Sequence, residues 1–190
     1  MAGAEKRTVT LAEHRDLERT GADQHEYADG RIFARAGASA AHNRVSANVI
    51  AELSIALRER PCTVYPSDQR IVTVDGTAAY PDVSALCGEP RFGDEQQDEL
   101  LNPTLVVEVL SESTEAYDRG MKFEHYASMP SFIEYVLIDP HRMHVEVFTR
   151  EDEGWRLRRY GAEDTLELLS VGCVLRVREL YVKVPGIETA

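Results

Sequence analysis

Residues 103–126 read PTLVVEVLSESTEAYDRGMKFEHY, and the order of residue types in that stretch decides the fold. Leu105, Val106, Val107, Val109 and Leu110 make a short run that is apolar on both faces, as in a strand covered on both sides. Glu108 stands in its middle. Ser111, Ser113 and Thr114 follow as candidates to cap a helix, and Glu115 suits a helix first turn. The helix is expected to run to about Met129-Pro130. Asp118 and Lys122, four apart, fall on one face of it. Because the helix follows the strand directly, it folds back over the sheet near the strand's C-terminal end, with Lys122 in reach of Glu108. An ionised carboxylate in an apolar interior is costly unless it is paired or bound to a metal. Two readings are open at this point: a structural ion pair under the helix, or a reactive site where the sheet opens to a cleft.

The flanking chain supplies the rest of a mixed sheet. TLAEHRDLER predicts a short helix, with Thr10 and Glu13 as a capping box and Gly21 as the stop. HEYADGRIFARAG predicts a hairpin turning at Asp29-Gly30. In AHNRVSANVIAELSIALRER, Val45, Val49, Leu53 and Leu57 recur every four residues, an amphipathic helix closed by Pro61. CTVYPSDQRIVTVDG reads as one or two strands and YPDVSALCG as a short one. Residues 88–103 read as an acidic loop, functional or mobile at that length. SFIEYVLID and MHVEVFTR are strands joined at Pro140-His141-Arg142. GWRLRRYG and TLELLS continue the antiparallel run, and VGCVLRVRELYVKV is a strand with one helical turn. The expected class is a mixed α+β or α/β sheet with helices packed on it, a single domain over residues 1–190.

Composition narrows the function. The 190 residues are 43% hydrophobic, ordinary for a globular chain, and enough for one core. The first twenty residues are polar, so no signal peptide is expected, and no apolar run is long enough for a membrane span. The three cysteines, Cys62, Cys87 and Cys173, are scattered and lack a CxxC pair. They predict neither a disulfide framework nor a zinc knuckle, and a reducing cytoplasm is the expected compartment. Net charge is −12, with 13 Lys and Arg against 24 Asp and Glu before residue 141. That lacks the basic footprint of a nucleic-acid binder, and counts against such a partner unless metal ions and local arginines line the site.

Asp82, after a proline at the start of a short strand, is the second carboxylate. Alone it reads as a strand cap. With Glu108, 26 residues on along the next strand, it makes a pair that neighbouring strands can present at one sheet edge. Hard divalent ions such as Mg²⁺ take one or two carboxylates, with water and substrate phosphate completing the shell. A nearby ammonium can orient the attacking water or stabilise developing charge. Two carboxylates and a lysine suggest metal-assisted phosphodiester hydrolysis. Two carboxylates would also suit glycoside hydrolysis, but one Trp offers little sugar stacking and the lysine has no part in it. A non-catalytic interaction module is the other alternative. His42 reads as a helix cap or a phosphate contact, and Arg156, Arg158 and Arg159 as a solvated strand face.

YPDVSALCG, HEYADGRIF and the block from PTLVVEVL to EYVLIDP resemble a large bacterial family of endonucleases, often called Uma-type. It is a branch of the PD-(D/E)XK restriction-endonuclease-like superfamily, and the likeness covers roughly residues 10–185. The resemblance implies a restriction-endonuclease-like core, a four-stranded mixed sheet flanked by helices, and Mg²⁺- or Mn²⁺-dependent cleavage of nucleic acid, with DNA the expected substrate. Asp82 matches the PD aspartate and Glu108 the second acid, so these two would be metal ligands. The motif lysine should stand two residues after the glutamate, where this chain has Leu110. The resemblance implies that it has moved to Lys122, with Asp118 orienting it. Glu26 matches an acid near the family's first hairpin and would complete the metal shell. His42 also matches in position, and Gln69 is expected to approach from a neighbouring strand. By analogy with nucleases that cut both strands, a homodimer is expected.

Overall fold

The computed structural model describes residues 8–35 and 37–188; the first seven residues of the polar start lie outside them. Helix α1 (Leu11–Thr20) carries the expected capping box: Thr10 Oγ1 accepts from Glu13 N–H, and the Glu13 carboxylate accepts from Thr10 N–H. Strands β1 (His25–Ala28) and β2 (Arg31–Ala34) form the expected hairpin. Its Asp29 and Gly30 sit at φ 50° and 74°, the left-handed region a type I′ turn requires. Helix α2 (Ala40–Ala56) is capped by Ser39, whose hydroxyl accepts from His42 N–H, and it buries Val45, Val49 and Leu53.

Next come β3 (Cys62–Pro66), β4 (Arg70–Val72), β5 (Ala78–Ala79), β6 (Val83–Cys87), β7 (Glu99–Leu100) and β8 (Leu105–Val109). Then α3 (Glu115–Arg119), α4 (Met121–Ala127), β9 (Glu134–Asp139), β10 (His144–Glu151) and β11 (Gly154–Gly161) follow. The chain closes with β12 (Thr165–Leu168), β13 (Cys173–Arg176) and α5 (Val177–Leu180).

A six-stranded sheet ordered β11-β10-β9-β8-β6-β3 forms the centre. It is mixed: β8 and β9 run parallel across the α3–α4 crossover, and the other neighbours are antiparallel. This extends beyond the four strands implied by the resemblance. Side chains alternate along β8. Leu105, Val107 and Val109 face α2, β12–β13 and α5, while Val106 and Leu110 join Tyr126, Met129, Phe132 and Tyr135 on the α4 side. Glu108 alternates with Val106 and Leu110, so it points toward α4. A second sheet, ordered β2-β1-β5-β4-β7, flanks the first. No helix of the described residues is long and apolar enough to cross a membrane.

Four expectations need correction. The helix after β8 is two helices, because Gly120 leaves helical geometry at φ −118° and ψ −103°. TLELLS does not extend the antiparallel run: β12 pairs with β13 in a separate two-stranded sheet. The acidic segment 88–103 is not wholly loop. Its Glu99 is 0% exposed in β7, gripped by Arg15 through two contacts of 2.7 Å and by Arg70 at 3.0 Å. Finally, Cys62 and Cys87 form a disulfide. They lie directly opposite each other in the β3–β6 ladder, a register that cysteine spacing alone does not reveal.

Candidate active site

The antiparallel ladder between β6 and β8 ends at the pair Val83–Val107. One step further the two strands would pair Asp82 with Glu108, and there the side chains take over from the backbone. Asp82 N–H donates to Glu108 Oε2 at 3.3 Å, and Val109 N–H donates to Asp82 Oδ2 at 2.7 Å. Asp82 follows the same alternation as Ser84 and Leu86, so both carboxylates face the α4 side of the sheet. Their 26-residue separation spans the connection from β6 to its antiparallel neighbour β8, which passes through β7 of the second sheet.

Lys122 comes down from α4 onto this pair. Its Nζ lies 2.8 Å from Glu108 Oε1, 3.0 Å from Glu26 Oε1 and 3.7 Å from Asp118 Oδ1. Asp118 arrives from α3 at i,i+4 spacing, which survives the break at Gly120. Glu26 arrives from β1 of the second sheet, where Tyr80 N–H also holds it at 3.1 Å. His42 Nε2 lies 3.2 Å from Asp82 Oδ2. The helix cap is therefore Ser39, and the His42 ring serves the site. Tyr126 is buried in the core, and its hydroxyl donates to Glu108 at 3.3 Å from beneath.

Three carboxylates, Glu108, Glu26 and Asp118, thus surround one ammonium, and Asp82 stands beyond them against Glu108. Burial pushes the Glu108 carboxyl well above the usual range, and Lys122 offsets only part of this. Burial likewise raises Asp118, again opposed by Lys122. Burial works to strip the Lys122 proton, but Glu108, Glu26 and Asp118 outweigh it and hold the ammonium charged. The site carries surplus negative charge that a cation would relieve.

Glu26, His42, Asp82, Glu108, Asp118 and Lys122 all line one open groove of about 840 Å³, walled by β2 on one side and by the start of α2 and of α4 on others. Gln69 is not brought there: its amide donates to Gln97 O at 3.4 Å, away from the groove. Arg158 and Arg159 are held by Glu167 and Glu146 at 3.8 and 3.1 Å, and Arg156 pairs with Glu151. The structure adds one residue that the sequence reading passed over. The Tyr117 hydroxyl is buried at the groove wall without a hydrogen-bond partner. Only its place one residue before Asp118 could have drawn notice.

Among the described residues, no group of three or more His, Cys, Asp or Glu side chains is arranged to enclose a metal ion. Asp82 and Glu108 form instead an open pair. Asp82 Oδ1 takes no hydrogen bond from the described residues, and Glu108 Oε2 takes only the long one from Asp82 N–H.

A family model described as "Uma2: Putative restriction endonuclease" matches residues 11–178. The chain belongs to the Uma2 family. Two relatives from Synechocystis sp. are described only as uncharacterized. The protein slr1290 is 39% identical over 163 residues, covering 84% of each chain. The protein sll1609 is 34% identical over 166 residues, covering 86% of this chain and 94% of its own. Among solved structures, one from Anabaena variabilis, described as a "putative nuclease belonging to DUF820", superposes with a TM-score of 0.73. It covers 92% of this chain and 98% of its own at 17% identity, and so bears out the restriction-endonuclease-like fold. The Uma2 match includes Glu26, Asp82, Glu108 and Lys122, so the whole constellation lies inside the family's extent.

Proposed function

We propose that this Uma2 protein is a metal-dependent endonuclease that hydrolyses phosphodiester bonds of nucleic acid, with DNA the substrate. One observation carries the reading: Asp82 and Glu108 stand opposite each other where the β6–β8 ladder ends, facing an open groove, with Lys122 beside them. The donor set fits Mg²⁺ or Mn²⁺, which accept one or two carboxylates and complete their shell with water and phosphate oxygens. Asp82 and Glu108 would hold the ion, and when bound it would activate a water and neutralise charge on the phosphate. The chain's own groups divide the remaining work. Lys122 presents an ammonium to the attacking water or to the charge that develops on the phosphate. Asp118 and Glu26 keep that ammonium protonated and aimed. His42 and Val109 N–H fix the Asp82 carboxylate, and Tyr126 fixes Glu108 from below.

The 2.8 Å contact between Lys122 and Glu108 also favours a second reading, a structural ion pair in a fold that has lost the reaction. Three carboxylates around one lysine argue against it, since an inert pair needs one. The test is cleavage of labelled single- and double-stranded DNA in Mg²⁺ and in EDTA. The parent is expected to cut only in Mg²⁺, with cutting lost in Asp82→Asn and Lys122→Met. Cutting that persists unchanged in both variants would come from a contaminant and remove the proposal's support.

A further inference from the structure

We propose that the groove takes an unpaired nucleotide strand, with Phe33 as a platform on which a base stacks beside the catalytic carboxylates. This rests on the nuclease reading and adds the form of the substrate. In the β1–β2 hairpin, Glu26 pairs with Phe33 and Ala28 with Arg31. Opposed residues of an antiparallel pair share a face, and alternation places Arg31, Phe33 and Arg35 together on it. It is the face from which Glu26 reaches Lys122, and all five residues line the groove. Strand β2 is the edge of its sheet.

Phe33 is 47% exposed on that face, and Met121, the residue before Lys122, is 51% exposed on the same groove. The flanking arginines differ in kind. The Arg31 side chain makes no hydrogen bond or ion pair among the described residues and is open to a phosphate. Arg35 is braced, donating to Gln24 and to Ser67 O at 3.4 Å, with its guanidinium 5.4 Å above the Tyr80 ring. At about 3.3 Å per residue, the two cations bracket the ring over roughly 13 Å of strand. An aromatic face between positive charges is how sequence-tolerant single-strand sites work, with bases on the rings and backbone along the cations.

A duplex fits this rib poorly. Its base faces are covered by their neighbours, so Phe33 would stack only after a base was unstacked or flipped. Duplex binders also draw affinity from many phosphate contacts. This chain is at −12, and Arg156, Arg158 and Arg159 are each paired with a glutamate.

The experiment is fluorescence anisotropy with a labelled oligothymidylate and a duplex of equal length, titrated with the full chain in Ca²⁺. The parent should bind the single strand more tightly than the duplex. Phe33→Ala should weaken single-strand binding by about five- to 150-fold, and Phe33→Tyr should preserve it. The thermal midpoint should not move in either variant, because the ring is half in water. Equal single-strand binding by the parent and Phe33→Ala, or a preference for duplex, overturns the proposal and leaves the nuclease reading standing. So does sedimentation showing a dimer that Phe33→Ala dissociates, since a second copy would then cover the β2 edge. If neither oligonucleotide binds, the proposal also fails. A Mn²⁺ titration of the same sample then decides the nuclease reading: binding lost in Asp82→Asn preserves it, and no binding removes both.

Discussion

Replacing Lys122 with Met keeps the length and apolar stem of the side chain and removes one charge. Glu108 and Asp118, each with 4% of the side chain exposed, and Glu26, with 12%, then face one another without a cation. Breaking a buried pair by removing one partner costs about 3–5 kcal/mol. For a domain of this size each kcal/mol lowers the midpoint by roughly 2–4 °C, so a drop of about 6–20 °C is expected at pH 8. The deficit should depend on pH. Without the ammonium, the Glu108 carboxyl rises further above its unfolded value, so the folded variant holds a proton that the unfolded chain releases. The parent's Glu108 is also raised, so stability falls above the ordinary glutamate range in both proteins. The fall continues to higher pH in the variant, and the deficit is larger at pH 8 than at pH 5. Urea unfolding at both pH values measures it. A loss below about 1 kcal/mol at pH 8, or one equal at the two pH values, would refute the claim that Lys122 neutralises a buried carboxylate cluster.

Glu99→Gln removes the charge that Arg15 and Arg70 share, and with Arg70 3% exposed a loss of about 3–5 kcal/mol is expected by urea unfolding. Burial works to raise the Glu146 carboxyl, but Arg119, Arg159 and His144 outweigh this and pull it down to about 2. Its contribution is present above the ordinary glutamate value and lost as pH falls from about 4.5 toward 2, so Glu146→Gln should flatten the acid limb of a stability–pH curve in that window. Reducing the Cys62–Cys87 bond, which closes a 25-residue separation, should lower stability by about 3 kcal/mol, read as a shift in the urea midpoint with and without reductant.

The centre of the site was legible because it obeys short-range rules. An acid inside an apolar run marks β8, i,i+4 spacing joins Asp118 to Lys122, and antiparallel register converts the gap between Asp82 and Glu108 into a facing pair. Glu99 was not legible. Its arginines lie 84 and 29 residues away, and in the sequence it is one more acid in an acidic loop. Phe33 was hidden for the opposite reason: in RIFAR it reads as an ordinary strand residue, and only the sheet's edge position leaves it in water. Gly120 broke a helix without disturbing the side-chain spacing across it, so the Asp118–Lys122 pairing holds while the element boundary does not. The Cys62–Cys87 bond depends on which strand pairs with β3, which no local pattern states.

The central claim is that Asp82 and Glu108 hold a divalent ion beside Lys122. The most direct measurement is anomalous diffraction from crystals soaked in Mn²⁺. The expected result is a peak in contact with both carboxylates, with the Lys122 ammonium beside it and the peak absent from Asp82→Asn crystals. A site empty at saturating Mn²⁺, with Glu108 still held by Lys122 alone, would contradict it and leave a nuclease fold whose buried ion pair is structural.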